Sequence, residues 1–134
     1  MLSLRTHSLL DYLAAAVLVL CPVLFGFSTL VPARNVFYFL GIGLAIYSML
    51  TNYNYSIAKW IPVGLHMTLD VMLGLMIMIG PSIFNYREGL TSVQNIVHYI
   101  AGISAIALVL FTDRRSERIA VSTETGRRDL KRVA

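Results

Sequence analysis

Four apolar stretches, near positions 8–28, 35–51, 62–84 and 93–112, take up most of the chain, and only short polar links separate them. At about 1.5 Å per residue each stretch approaches or crosses a hydrocarbon core of roughly 30 Å, so the pattern predicts four transmembrane helices. The links are short enough to force sequential helices to run antiparallel. Helix 1 goes out, helix 2 returns, and helices 3 and 4 repeat the move.

The polar positions inside the stretches show that the two hairpins are copies. His7-Ser8-Leu9-Leu10-Asp11 opens the first segment and His66-Met67-Thr68-Leu69-Asp70 the third, with Pro22 and Pro81, and Phe25 and Phe84, in the same register 59 residues apart. Two hairpins of equal topology make a parallel repeat about an axis along the membrane normal. The return helices align less cleanly. An offset of 61 pairs Val36 with Val97, Tyr38 with Tyr99, Gly41 with Gly102 and Thr51 with Thr112, whereas an offset of 60 pairs Gly41-xxx-Ala45 with Ala101-xxx-Ala105. Either way small residues recur at spacing four, which lets membrane helices approach closely. The expected organisation is a transmembrane domain over 1–112, with repeats at about 7–52 and 62–112, and a basic cytoplasmic tail over 113–134.

Composition agrees: 57% apolar residues, 13% charged and a mean hydropathy of +0.70 belong to a membrane protein. An N-terminal signal peptide is a poorer reading of helix 1, because Asp11 falls where the apolar region should begin and an equivalent segment recurs internally. Arg5, Lys59 and the seven basic residues of the tail lie on one side of the membrane, against Arg34 and Arg87 on the other. The excess predicts cytoplasmic termini. The net charge of +4 is therefore mostly a topology signal, and with acids interspersed and no aromatic residue after Phe111 the tail does not read as nucleic-acid binding. The tail is expected to be mobile or to graze anionic headgroups, and a short helix over 114–121 would continue helix 4. Tyr53, Tyr55 and Trp60 fit an interfacial belt, and Pro62 suits the first turn of helix 3. Cys21 stands alone in an apolar run and reads as a small core residue.

Candidate chemistry concentrates in the duplicated pairs. His7 and Asp11, like His66 and Asp70, are four apart on one helix face, near the cytoplasmic end, and helices about 8 to 10 Å apart would let all four side chains converge. The plain reading is a paired polar cap fixing the depth and rotation of each hairpin, with no cofactor. The sharper one is a metal or proton site, since two histidines and two carboxylates are a ligand set for zinc or another divalent ion. Nothing beyond two histidines at one depth singles out haem. A separation of the two carboxylates beyond about 10 Å would exclude a shared site. His98 begins helix 4 on the opposite side and is expected to be interfacial. Pro22 and Pro81 are expected to kink or end their helices, turning Phe25, Phe27, Phe84 and Tyr86 into an aromatic collar. Arg34, Asn85, Arg87 and Glu88 fall in outer loops as solvated residues. No nucleophile-base pair, phosphate-cradling loop or redox dithiol stands out.

His7-xx-Leu10-Asp11-Tyr12, Cys21-Pro22-Val23-Leu24-Phe25-Gly26-Phe27, Thr51-Asn52-Tyr53, Ile61-Pro62-xxx-His66-xx-Leu69-Asp70 and Gly80-Pro81-Ser82-Ile83-Phe84 resemble the SPW-repeat integral membrane proteins. The resemblance covers about 7–112, although Cys21-Pro22-Val23 and Gly80-Pro81-Ser82 replace the Ser-Pro-Trp triplet. It implies duplicated two-helix units and a bacterial inner-membrane location, but no reaction. The functional expectation is a non-enzymatic structural or partner-binding component, in contact with lipid and a homo-oligomer or a membrane-protein partner. The alternative is an ion or proton conduit, or a metal-binding transporter, using His7, Asp11, His66 and Asp70.

Overall fold

In the computed structural model, which describes residues 2–52 and 55–113, four helices follow one another: α1 (Leu4–Leu24), α2 (Val31–Leu50), α3 (Val63–Ile83) and α4 (Ser92–Leu110). Each is long and apolar enough to cross a membrane. The architecture is all-α, packed as two hairpins, with α1 chiefly against α2 and α3 chiefly against α4. Tyr53 and the tail beyond 113, with its expected short helix, lie outside the described residues.

Local chemistry sets the ends. The Ser3 hydroxyl accepts the Thr6 amide at 3.1 Å, so α1 starts four residues before its apolar run and carries His7 in its first turns. Pro62 stands at the N-cap of α3 rather than inside its first turn. Thr91 and Gln94 form a reciprocal capping box at α4.

At the far end both outgoing helices stop in the same way. Gly26 and Asn85 adopt positive φ of 72° and 52°, while the Phe27 amide reaches the Pro22 carbonyl (2.9 Å) and the Tyr86 amide the Pro81 carbonyl (3.1 Å). These are the long-range bonds of Schellman caps, with each proline three places before the cap residue. The helices end two residues after Pro22 and Pro81.

The buried faces reproduce the repeat residue by residue. Along α1 they are His7, Ser8, Asp11, Ala15, Leu18, Cys21 and Pro22; along α3, His66, Met67, Asp70, Gly74, Ile77, Gly80 and Pro81 occupy the matching places. In the return helices Phe37, Gly41 and Ser48 of α2 match His98, Gly102 and Val109 of α4, which selects the offset of 61. Gly41 and Gly102 sit where each hairpin is tightest. A Cβ on Gly41 would lie 3.0 Å from the Ala15 carbonyl oxygen, and one on Gly102 would lie 2.5 Å from that of Gly74. Large apolar side chains such as Leu9, Leu13, Phe39, Ile100 and Leu110 point outward, as a lipid-facing surface requires.

The expected aromatic collar divides. Phe25 and Phe84 are exposed, whereas Phe27 and Tyr86 follow the αL residue back into the bundle and are buried. His98 also departs from expectation: it is buried against Phe27, Phe37 and Tyr86, because the face of α4 it occupies is the one turned inward.

Candidate functional site

The N-terminal ends of α1 and α3 meet the C-terminal ends of α2 and α4 at one end of the bundle. Two short bridges hold them there: Leu2 pairs with Thr112, and Ile61 with Thr51. The bonds are equivalent in the two repeats, Leu2 N–H to the Phe111 carbonyl (2.7 Å) and Ile61 N–H to the Leu50 carbonyl (2.9 Å). The start of each outgoing helix is thereby seated beside the end of the other repeat's return helix, α1 beside α4 and α3 beside α2.

Inside this end His7, Asp11, His66 and Asp70 converge, all buried, with one ligand-type atom from each within 4.8 Å of the others. That is well inside the separation of about 10 Å beyond which a shared site would fail. The pairing is crossed. His7 Nε2 lies 3.2 Å from Asp70 Oδ2, and His66 Nε2 lies 3.1 Å from Asp11 Oδ2. The partners one turn along the same helix are also close, at 3.5 Å for His7 and Asp11 and 3.2 Å for His66 and Asp70.

The far nitrogen of each ring is fixed by a threonine. His7 Nδ1 is 2.8 Å from Thr112 Oγ1 and His66 Nδ1 is 2.7 Å from Thr51 Oγ1. Both hydroxyls donate their single proton to a carbonyl four residues back, Thr112 to Leu108 and Thr51 to Tyr47, each at 2.6 Å. Their oxygens are therefore left as acceptors, so both Nδ1 atoms carry a proton and donate it. Both Nε2 atoms face the carboxylates. Asp70 has a further support that Asp11 lacks in this form: the Tyr47 hydroxyl donates to its Oδ1 at 2.6 Å, and the Tyr47 ring packs edge-on against His66.

Thr51 and Thr112 are visible in the sequence as a matched pair, but only the folded bundle gives them this role. Tyr47 has Leu108 at the equivalent place, so comparison of the repeats passes over it. Ser8 and Thr68 do not join the cluster: Ser8 donates to the Arg5 carbonyl and the exposed Thr68 to that of Gly64. Just outside, the Arg5 guanidinium donates to the Tyr55 hydroxyl (2.7 Å), while Trp60 is exposed.

At the other end His98 is separated from this cluster by Leu18, Leu44, Leu73 and Ile77, all buried apolar side chains. His98 Nδ1 donates to the Gln94 carbonyl at 2.7 Å, while its Nε2 and the Tyr86 hydroxyl are buried with no hydrogen-bond partner among the described residues. Burial pushes the Tyr86 phenol up to about 12. These two residues stand where Phe37 and Phe27 stand in the first repeat, and Gly80, opposite Cys21, makes the room that the extra hydroxyl needs.

The family described as SPW repeat domain matches residues 5–112. No curated protein and no solved structure matches the chain.

Proposed function

We propose, from the premise that this chain belongs to the SPW repeat family, that it is a non-enzymatic structural or partner-binding component of the bacterial inner membrane. Its two hairpins are clasped at the cytoplasmic face by His7, Asp11, His66 and Asp70. The observation that carries this reading is the crossed bonding: each histidine meets the carboxylate of the other repeat, so the cluster ties hairpin to hairpin. Between hairpins the helices touch less than within them, and lipid supplies no hydrophobic drive for association, so a polar clasp has the largest effect there. The buried apolar layer of Leu18, Leu44, Leu73 and Ile77 favours a static role over a conduit, since an ion would cross it without polar partners.

The test is thermal or denaturant unfolding in detergent. His66→Ala leaves two buried carboxylates short of a partner and is expected to cost about 3 to 5 kcal/mol. His7→Ala should do the same while helix content in the folded state is retained. Unchanged stability in both variants would refute the clasp.

A further inference from the structure

We infer that the four-residue clasp is a binding site for a divalent transition-metal ion, with the tetrahedral geometry and ligand preference of zinc; this rests on the clasp reading and deepens it. Three features of the cluster lead there. The first is its spacing. The four nitrogen-oxygen separations run from 3.1 to 3.5 Å, with both oxygens of Asp11 taking part, and one ligand-type atom from each residue lies within 4.8 Å of the others. A tetrahedron of nitrogen and oxygen ligands at about 2.0 to 2.1 Å from zinc has edges of about 3.3 to 3.4 Å. The four groups therefore stand close enough to close round a shared centre, at separations that also admit direct hydrogen bonds between imidazole and carboxylate.

The second feature is the outer arrangement. Both Nδ1–H groups donate to threonine oxygens whose own protons are committed to the helix backbone, which leaves Nε2 as the nitrogen that can offer a lone pair inward when a metal ion displaces its proton. Tyr47 occupies Oδ1 of Asp70 and leaves Oδ2 turned toward both imidazoles. Hydrogen bonds of this kind orient the ligands of metal sites and raise their basicity. They come from the C-terminal ends of the two return helices, Tyr47 in α2, Thr51 at its C-cap and Thr112 just beyond α4.

The third feature is charge. Two carboxylates and two neutral imidazoles around a divalent cation sum to zero, which a buried site at a membrane end requires. Four protein ligands close the coordination sphere, as in structural zinc sites, whereas catalytic sites keep a position for water. A closed site agrees with a clasp.

The experiment uses the full chain purified in detergent, with zinc and cobalt(II) as the probes. The wild type is expected to hold equimolar zinc by elemental analysis. After chelation and loading with cobalt(II) it should show the intense visible bands of a tetrahedral centre. His66→Ala should lose both signals, and Thr51→Val, which keeps all four ligands, should weaken zinc affinity by about 10- to 100-fold. A folded wild type with neither zinc nor a tetrahedral cobalt spectrum overturns the inference, as does zinc retained equally by His66→Ala. The clasp is judged separately, in the chelated proteins. If His66→Ala still unfolds more easily than the wild type there, the clasp stands without metal; if the two unfold alike in chelator and in zinc, the clasp falls too.

Discussion

A buried hydroxyl without a partner costs more than its removal, and Tyr86, whose hydroxyl has none among the described residues, provides the cleanest case. Tyr86→Phe restores what the first repeat has at Phe27, and is expected to raise stability by about 1 kcal/mol. The pH dependence should change with it. Burial holds the Tyr86 phenol neutral up to about 12, against 10.0 for the ordinary group. A raised value in the folded state gives stability that is fully present below pH 10 and is lost as pH rises through 12. Unfolding followed across that window should show a smaller alkaline loss in Tyr86→Phe than in the wild type. At this scale the sequence displayed His7, Asp11, His66 and Asp70 clearly, because a repeated polar pair in an apolar chain stands out. His98 lies at the end its position predicts but on the inward face, because α4 is apolar almost all round and its periodicity does not mark that side. Tyr47 was illegible for the opposite reason: a tyrosine near a helix end reads as an interfacial anchor until its hydroxyl is seen on Asp70.

Helices here are held by backbone proximity as much as by side-chain fit. Gly102 faces Gly74 so closely that a single methyl meets the carbonyl of the neighbouring helix, so Gly102→Ala is expected to cost about 1 to 3 kcal/mol. Gly43 has open space around its missing Cβ, and Gly43→Ala should be neutral or stabilising by about 0.4 to 1 kcal/mol. Comparing the two in one unfolding assay separates close packing from helix propensity. The four helices and their pairing could be read from apolar run lengths and short links. Their ends could not be placed as well: the start of α1 depends on Ser3, a polar residue outside the run, and both prolines sit within Schellman caps that only the αL residues Gly26 and Asn85 reveal. The offset of the return helices needed the structure as well, because small residues recur at both 60 and 61 and only burial distinguishes them.

For the whole molecule the proposed orientation places both termini, and with them the clasp, in the cytoplasm. A cysteine introduced at Lys59 should then be shielded from a membrane-impermeant thiol reagent in intact cells, and one at Arg87 should be labelled. The native Cys21 is buried and gives a low background. The reverse pattern would invert the molecule and move the clasp to the outer face. Joining the two hairpins in one chain also has a consequence for inheritance. Two identical subunits about a two-fold axis must carry every residue in duplicate, so a change that suits one half is imposed on the other. In this chain Tyr47 answers to Leu108, Tyr86 to Phe27, His98 to Phe37 and Gly80 to Cys21. Fusion has freed each half to mutate alone, and it is this that allows one carboxylate of a nearly symmetric quartet to hold a phenol that its twin does without.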